Sequence, residues 1–242
     1  MRLKLLAVAA ALALAGPAFA KRINITSFSP ASTDVKITFS SSVDPVVGRV
    51  SRAAPDGSYT VAAGQLSGYL DGDSFLTFCA EALADVKYGD PNVPLSGPEY
   101  DLLPTPPQFG ARRASDLSRL YTAAYGSVTD VGSAAAFQAA VWEIIYEAKP
   151  PQGTFPSYSL ADGSFMGEAV NPSYAAAFSS MDSVLANLGS YSKGYRVEVL
   201  VNPDYQDYLS ITAVPEPGSV ALLAAGLGVV GFMARRRSAP GG

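Results

Sequence analysis

Apolar and polar residues alternate with the two-residue period of half-buried strands at Ile23-Asn24-Ile25-Thr26, Val35-Lys36-Ile37-Thr38-Phe39 and Tyr59-Thr60-Val61. Asp71-Gly72-Asp73 reads as a hairpin turn leading into Ser74-Phe75-Leu76-Thr77-Phe78-Cys79. Six prolines from Pro91 to Pro107 predict a long surface loop without regular structure. The period then changes. Ser115 caps a predicted helix whose Leu117, Leu120, Tyr121 and Ala124 share one face. A second helix follows Ser133 and runs to about Glu147, with Phe137, Val141, Ile144 and Ile145 on its buried side. A third begins at Asn171-Pro172, carries Tyr174, Phe178, Met181, Leu185 and Leu188 as its stripe, and ends at Gly189. Strand patterns return at Tyr195 to Val201 and Tyr208 to Thr212. The order predicts an α+β fold, an antiparallel β-barrel or sandwich carrying a helical insertion.

The two ends follow other rules. Arg2 and Lys4 precede an apolar core from Leu5 to Leu14, and Ala18-Phe19-Ala20 is a small-x-small cleavage site, so residues 1–20 read as a signal peptide. At the far end, Pro215-Glu216-Pro217 breaks regular structure, an uncharged run extends from Ser219 to Ala234, and Arg235-Arg236-Arg237 closes it. The run is shorter than the roughly 20 residues of a comfortable bilayer span, and the arginines would hold the C-terminus in the cytoplasm. A permanent tail anchor and a transient sorting segment both fit this composition. The tail resembles the PEP-CTERM sorting signal of Gram-negative bacteria. That resemblance implies a membrane-embedded exosortase that recognises and removes the tail, brief residence in the inner membrane, and delivery to the cell surface or extracellular matrix. The boundaries are then 1–20 for the signal, 21–213 for a single extracellular domain and 214–242 for the sorting signal.

Charge and composition narrow the chemistry. Two of the seventeen basic residues lie in the leader and three in the tail, so twelve bases face the chain's twenty-one acids. Such an acidic body argues against nucleic acid or anionic membrane surfaces as partners. The chain has no histidine, which removes histidine-based nucleophile pairs and the commonest transition-metal ligand. Its one cysteine, Cys79, cannot form an intramolecular disulfide. Gly226-Leu227-Gly228-Val229-Val230-Gly231 spells a dinucleotide fingerprint, but no strand precedes it, and it lies inside the sorting segment. Asp71-Gly72-Asp73 lacks the remaining spacing of a calcium loop, and Glu143 with Glu147 reads as a solvated helix face. No cofactor, metal site or enzymatic activity is expected.

One constellation carries chemistry. Phe78-Cys79-Ala80-Glu81 ends a strand, and Phe137-Gln138-Ala139-Ala140-Val141-Trp142 lies on a helix. A thiolate is the one side-chain nucleophile here able to attack a carboxamide without a histidine base. Attack needs the sulfur held against the carbonyl carbon, with donors for the oxyanion. The small Ala139 and Ala140 would let the strand approach closely. These segments resemble the two halves of a thioester domain, in which an aromatic or aliphatic residue precedes a cysteine and a hydrophobic-Gln-x-x-hydrophobic motif follows later. Similar segments occur in a set of PEP-CTERM proteins. Ala80 departs from the pattern, which more often has a bulkier residue there. The resemblance implies a Cys79–Gln138 thioester, shielded by Phe78, Phe137 and Trp142, that is attacked by an amine on a surface or polysaccharide target. This would be a covalent adhesin. The alternative is a non-covalent structural component of an exopolysaccharide or biofilm matrix, with Cys79 buried and inert.

Overall fold

The computed structural model describes residues 19–40, 55–147 and 158–214. The leader core from Leu5 to Leu14 and the sorting residues Pro215, Glu216 and Pro217 lie outside the described residues. Among the described residues nine strands run in chain order: β1 (Phe19–Phe28), β2 (Thr33–Phe39), β3 (Gly57–Ala63), β4 (Leu66–Leu70), β5 (Asp73–Thr77), β6 (Glu99–Pro104), β7 (Phe165–Ala169), β8 (Tyr195–Val201) and β9 (Tyr208–Ala213). The α-helices are α1 (Thr105–Phe109), α2 (Ala111–Ala124), α3 (Val131–Tyr146) and α4 (Ala175–Ala186).

Six strands form one antiparallel sheet in the order β5-β4-β1-β6-β8-β9. Its edges meet where the chain leaves β5. Cys79 bridges Tyr208 antiparallel, the Leu209 N–H donates to the Phe78 carbonyl (3.0 Å), and the Ala80 N–H donates to the Asp207 carbonyl (2.8 Å). The Thr77 hydroxyl adds a bond to the Leu209 carbonyl at 2.7 Å. This seam nearly closes the sheet into a barrel and satisfies edge groups that would otherwise be exposed. The barrel alternative of the expected α+β class is therefore the one observed. A second antiparallel sheet, β3-β2-β7, stands apart from it.

Between the sheets lies α3. From Ala134 to Tyr146 every side chain is buried, so the one-sided stripe predicted for this helix understates it. A helix apolar all round must be packed all round, and α3 meets α2, α4, β2, β3 and β7. It starts two residues before Ser133. Asp130 is the N-cap, accepting from the Ser133 N–H at 2.8 Å, while the Ser133 hydroxyl accepts from the Asp130 N–H at 3.0 Å. This reciprocal capping box satisfies two otherwise orphaned donors.

Other expectations need correction. The stretch from Pro91 to Pro107 is only partly a loop, because it contains β6 and α1. Pro104 ends the strand, and Pro106 and Pro107 occupy the first turn of α1, where an N–H would have no helical partner. Ser115 lies inside α2, which begins at Ala111 after Gly110; Gly110 has φ +85° and turns the chain from one helix into the next. The predicted face Leu117, Leu120, Tyr121 and Ala124 is buried. Asn171 caps a single 3₁₀ turn at Pro172–Tyr174, and α4 follows it, ending at Ala186 before Gly189. Asp71 and Gly72 do form the hairpin turn, with φ +53° and +95°, between paired Leu70 and Asp73.

Candidate functional site

Cys79 sits on the barrel seam, two residues past the end of β5, and α3 lies beside it. The contact is made by one side chain. Gln138 Oε1 accepts from the Cys79 N–H at 2.8 Å, and Gln138 Nε2 donates to the Cys79 carbonyl at 2.9 Å. Two backbone groups of a single residue thus fix both the position and the sense of the carboxamide, since the N–H demands an acceptor and the carbonyl a donor. Gln138 is 1% exposed and Cys79 is 7% exposed. These bonds put the segment carrying Cys79 in contact with the helix carrying Gln138, and both residues are buried.

Cys79 also lies at the wall of a groove of about 580 Å³, together with Tyr59, Glu81, Tyr88 and Trp142. Trp142 is 2% exposed. Burial, and after it the nearby Glu81 charge, pushes the Cys79 thiol well above the usual thiol range. A free thiol here would carry almost no thiolate at neutral pH.

The expected aromatic cover divides. Phe78 and Phe137 meet at a tilt, with ring centroids 4.6 Å apart, and belong to an aromatic cluster with Tyr121 and Tyr125. Neither lines the groove at Cys79. Trp142 does. The groove's other rings are Phe28, Tyr59 and Tyr88, which the sequence pattern did not single out. Tyr88 reaches the site because it bridges Ile25 of β1, a pairing with no local signal. Ala139 faces Gly167 of β7, where an added Cβ would stand 3.3 Å from it, so its smallness serves the approach of β7 to α3.

Glu143 and Glu147 are not a solvated face. Glu143 is fully buried, accepts from the Ser159 N–H at 3.0 Å, and has its other oxygen unpartnered. Glu147 accepts from the Ser164 N–H at 2.8 Å. Both hold the 158–165 segment, whose backbone donors need acceptors. Burial foremost, with Glu147 and Asp182 adding repulsion, pushes the Glu143 carboxyl up to about 9. Among the described residues, no group of acidic or cysteine side chains is placed to hold a metal, and no helix is long and apolar enough to cross a membrane.

The last barrel strand hands directly to the C-terminal segment. Ala213 pairs with Tyr195, and the Val214 N–H donates to the Gly194 carbonyl at 2.8 Å. Residues 213–237 match the PEP-CTERM protein-sorting motif. The PEP-CTERM segment implies export, processing by an exosortase and membrane-associated sorting toward the cell surface of a Gram-negative bacterium. No curated protein and no solved structure matches the chain.

Proposed function

We propose that this PEP-CTERM protein is a covalent adhesin of the cell surface or matrix, built on an internal thioester between Cys79 and Gln138. The observation that carries the reading is the reciprocal pair of hydrogen bonds between the Gln138 carboxamide and the Cys79 backbone. In this reading the Cys79 sulfur adds to the Gln138 carbonyl carbon. The Cys79 N–H, already bonded to Oε1, stabilises the developing oxyanion. The carbon–nitrogen bond then breaks, and Nε2 leaves as ammonia with the thiol proton. The product is neutral, so it avoids the desolvation penalty that burial imposes on a thiolate. The same environment disfavours thiolate departure, which protects the bond from casual attack until a well-placed nucleophile arrives. Trp142 supplies cover on the groove side, while Phe78 and Phe137 make the strand–helix contact rigid.

The proposal extends to processing. Removal of residues 1–20 would leave Lys21 as the first residue of β1, and removal of the tail would free the domain from the inner membrane. Methylamine tests the thioester reading. It is expected to add at Gln138 and to release a titratable thiol at Cys79 in equal amount. A protein that takes up no amine under native conditions, and whose thiol titrates freely once unfolded, would contradict it.

A second reading, a non-covalent structural component of an exopolysaccharide matrix, is favoured by the raised Cys79 thiol. A buried thiol of this kind is chemically inert unless it is already acylated.

A further inference from the structure

Of the sheet edges among the described residues, β3 alone bonds no neighbour on its outer side. β5 and β9 close on each other where Cys79 bridges Tyr208. The outer edge of β7 meets the 158–161 segment, with the Gly167 N–H donating to the Leu160 carbonyl at 2.9 Å. The open groups of β3 follow from β2. The Val170 N–H donates to the Asp34 carbonyl at 3.2 Å, and just past β2 the Ser40 N–H donates to the Ser164 carbonyl at 2.9 Å. Even-numbered residues of β2 therefore turn their backbone groups toward β7, and Val35 and Ile37 turn theirs toward Val61 and Tyr59 of β3. That leaves the N–H and C=O groups of Ser58, Thr60 and Ala62 pointing outward. Among the described residues none of these backbone groups is hydrogen-bonded, and all three residues are exposed. Such an edge is ordinarily blunted by lysine, proline or a bulge. β3, Gly-Ser-Tyr-Thr-Val-Ala-Ala, has none of these and pairs with β2 residue for residue.

We propose that β3 is the docking edge for an extended, cationic segment of a partner protein, which adds to the β3-β2-β7 sheet as a fourth strand. The groove described above takes Tyr59 to Ala62 of β3 into its wall, together with the 81–86 segment. That segment is pinned: the Ala82 N–H donates to the Tyr146 hydroxyl at 3.3 Å, and the Gln206 N–H to the Asp85 carbonyl at 3.1 Å. The space beside the edge is thus already shaped. Main-chain bonds to Ser58, Thr60 and Ala62 supply affinity for any extended chain, and side chains choose among them. Guest residues opposite the half-buried Tyr59 and Val61 share their face of the sheet and are apolar. Charge selects the rest. Among the described lining residues the charged ones are Glu81 and the exposed Asp85, so the field favours lysine or arginine in the guest. A second copy of this chain suits the edge poorly, because pairing β3 with β3 would bring the acids of both 81–86 segments together. The docking edge is independent of the chemical state of Cys79.

The test uses the full mature protein and an N-acetylated heptapeptide of alternating valine and arginine, which carries no amine able to react. Two control peptides accompany it: the same sequence with every amide N-methylated, and one with glutamate in place of arginine. The valine–arginine peptide should bind saturably and slow hydrogen exchange at the Ser58, Thr60 and Ala62 amides. The N-methylated peptide, which keeps charge and side chains but has no donor, should bind at least about tenfold more weakly, and so should the glutamate peptide. Thr60→Pro removes an outward N–H that β2 does not use, so the sheet should survive while binding falls by a similar factor. If that variant folds poorly, the N-methylated peptide on wild-type protein makes the same comparison. Asp85→Lys should weaken binding and reduce its dependence on salt. Equal affinity for the N-methylated or the glutamate peptide, or no binding of any of the three, would overturn the proposal. So would protection of the three amides in protein without peptide that appears only as its concentration rises, since a second copy would then be the occupant.

Discussion

Gln138 and Glu143 lie on the same buried helix and show how differently a polar side chain can be accommodated there. Gln138 is matched donor for acceptor by the Cys79 backbone, so its burial costs little. Glu143 has one backbone donor, one unpartnered oxygen and acidic neighbours, and it keeps its proton when folded up to about 9. An unfolded chain releases that proton near the ordinary glutamate value of about 4.3. Between these limits the folded state binds one more proton than the unfolded state, so stability falls as pH rises through this window. Glu143→Gln, which copies the shape of the neutral acid, should remove that slope. Denaturant melts at pH 8 should find the variant more stable by about 2–4 kcal/mol, with little difference near pH 4. An equal difference at both pH values would contradict the assignment. The sequence had placed Glu143 in solvent because an i, i+4 acid pair usually is; only the 158–165 segment lying over this face of α3 makes it otherwise.

At the level of elements, α3 and the barrel seam do the positioning. The helix was legible from its apolar run after Ser133, although its cap is Asp130, and Cys79 and Gln138 stood out because few residue pairs could do chemistry in a chain without histidine. The strands around them were less legible. β6 hides among prolines, because the rule against proline in sheets does not bind at a strand's last residue. β4 and β7 are five residues each with a glycine inside, and they offer no alternation to read. Those glycines have packing reasons. An added Cβ at Gly68 of β4 would lie 2.0 Å from the Asn24 carbonyl oxygen and at Gly167 of β7 3.3 Å from the Ala139 Cβ; outside the strands, before β6, one at Gly97 would lie only 1.6 Å from the Ile23 carbonyl oxygen. Gly97→Ala should therefore push the 88–98 segment off β1, which Asn24 otherwise pins through bonds to the Asp90 and Val93 carbonyls. A loss of about 1–3 kcal/mol in chemical denaturation is expected; an unchanged midpoint would show that β1 and this segment can separate freely. The facing of Phe78 was hidden for another reason. Strand alternation sends it to the side opposite Cys79, so it stiffens the contact and leaves groove cover to Trp142, Tyr59 and Tyr88. Trp142→Ala should cost about 3–5 kcal/mol and, in the thioester reading, hasten hydrolysis of the bond in water; a bond that survives equally long in the variant would assign the cover elsewhere.

At the scale of the molecule, one core among the described residues draws on chain from Ile23 to Leu209, and the sorting motif begins where β9 ends. That junction makes the folded part separable from its tail without cutting a core strand. Material recovered from the cell surface should accordingly lack Arg235-Arg236-Arg237, and recovery of that end intact would favour a permanent anchor. In the thioester reading proposed above, the protein is delivered outward with its reactive bond already made. The most direct check is the intact mass of the native mature protein, taken before any denaturation or added amine. The account predicts a deficit of one ammonia against the sequence mass, lost in Cys79→Ala and in Gln138→Ala alike. A wild-type mass equal to that of the unmodified chain, with both variants showing only their substitutions, would contradict it.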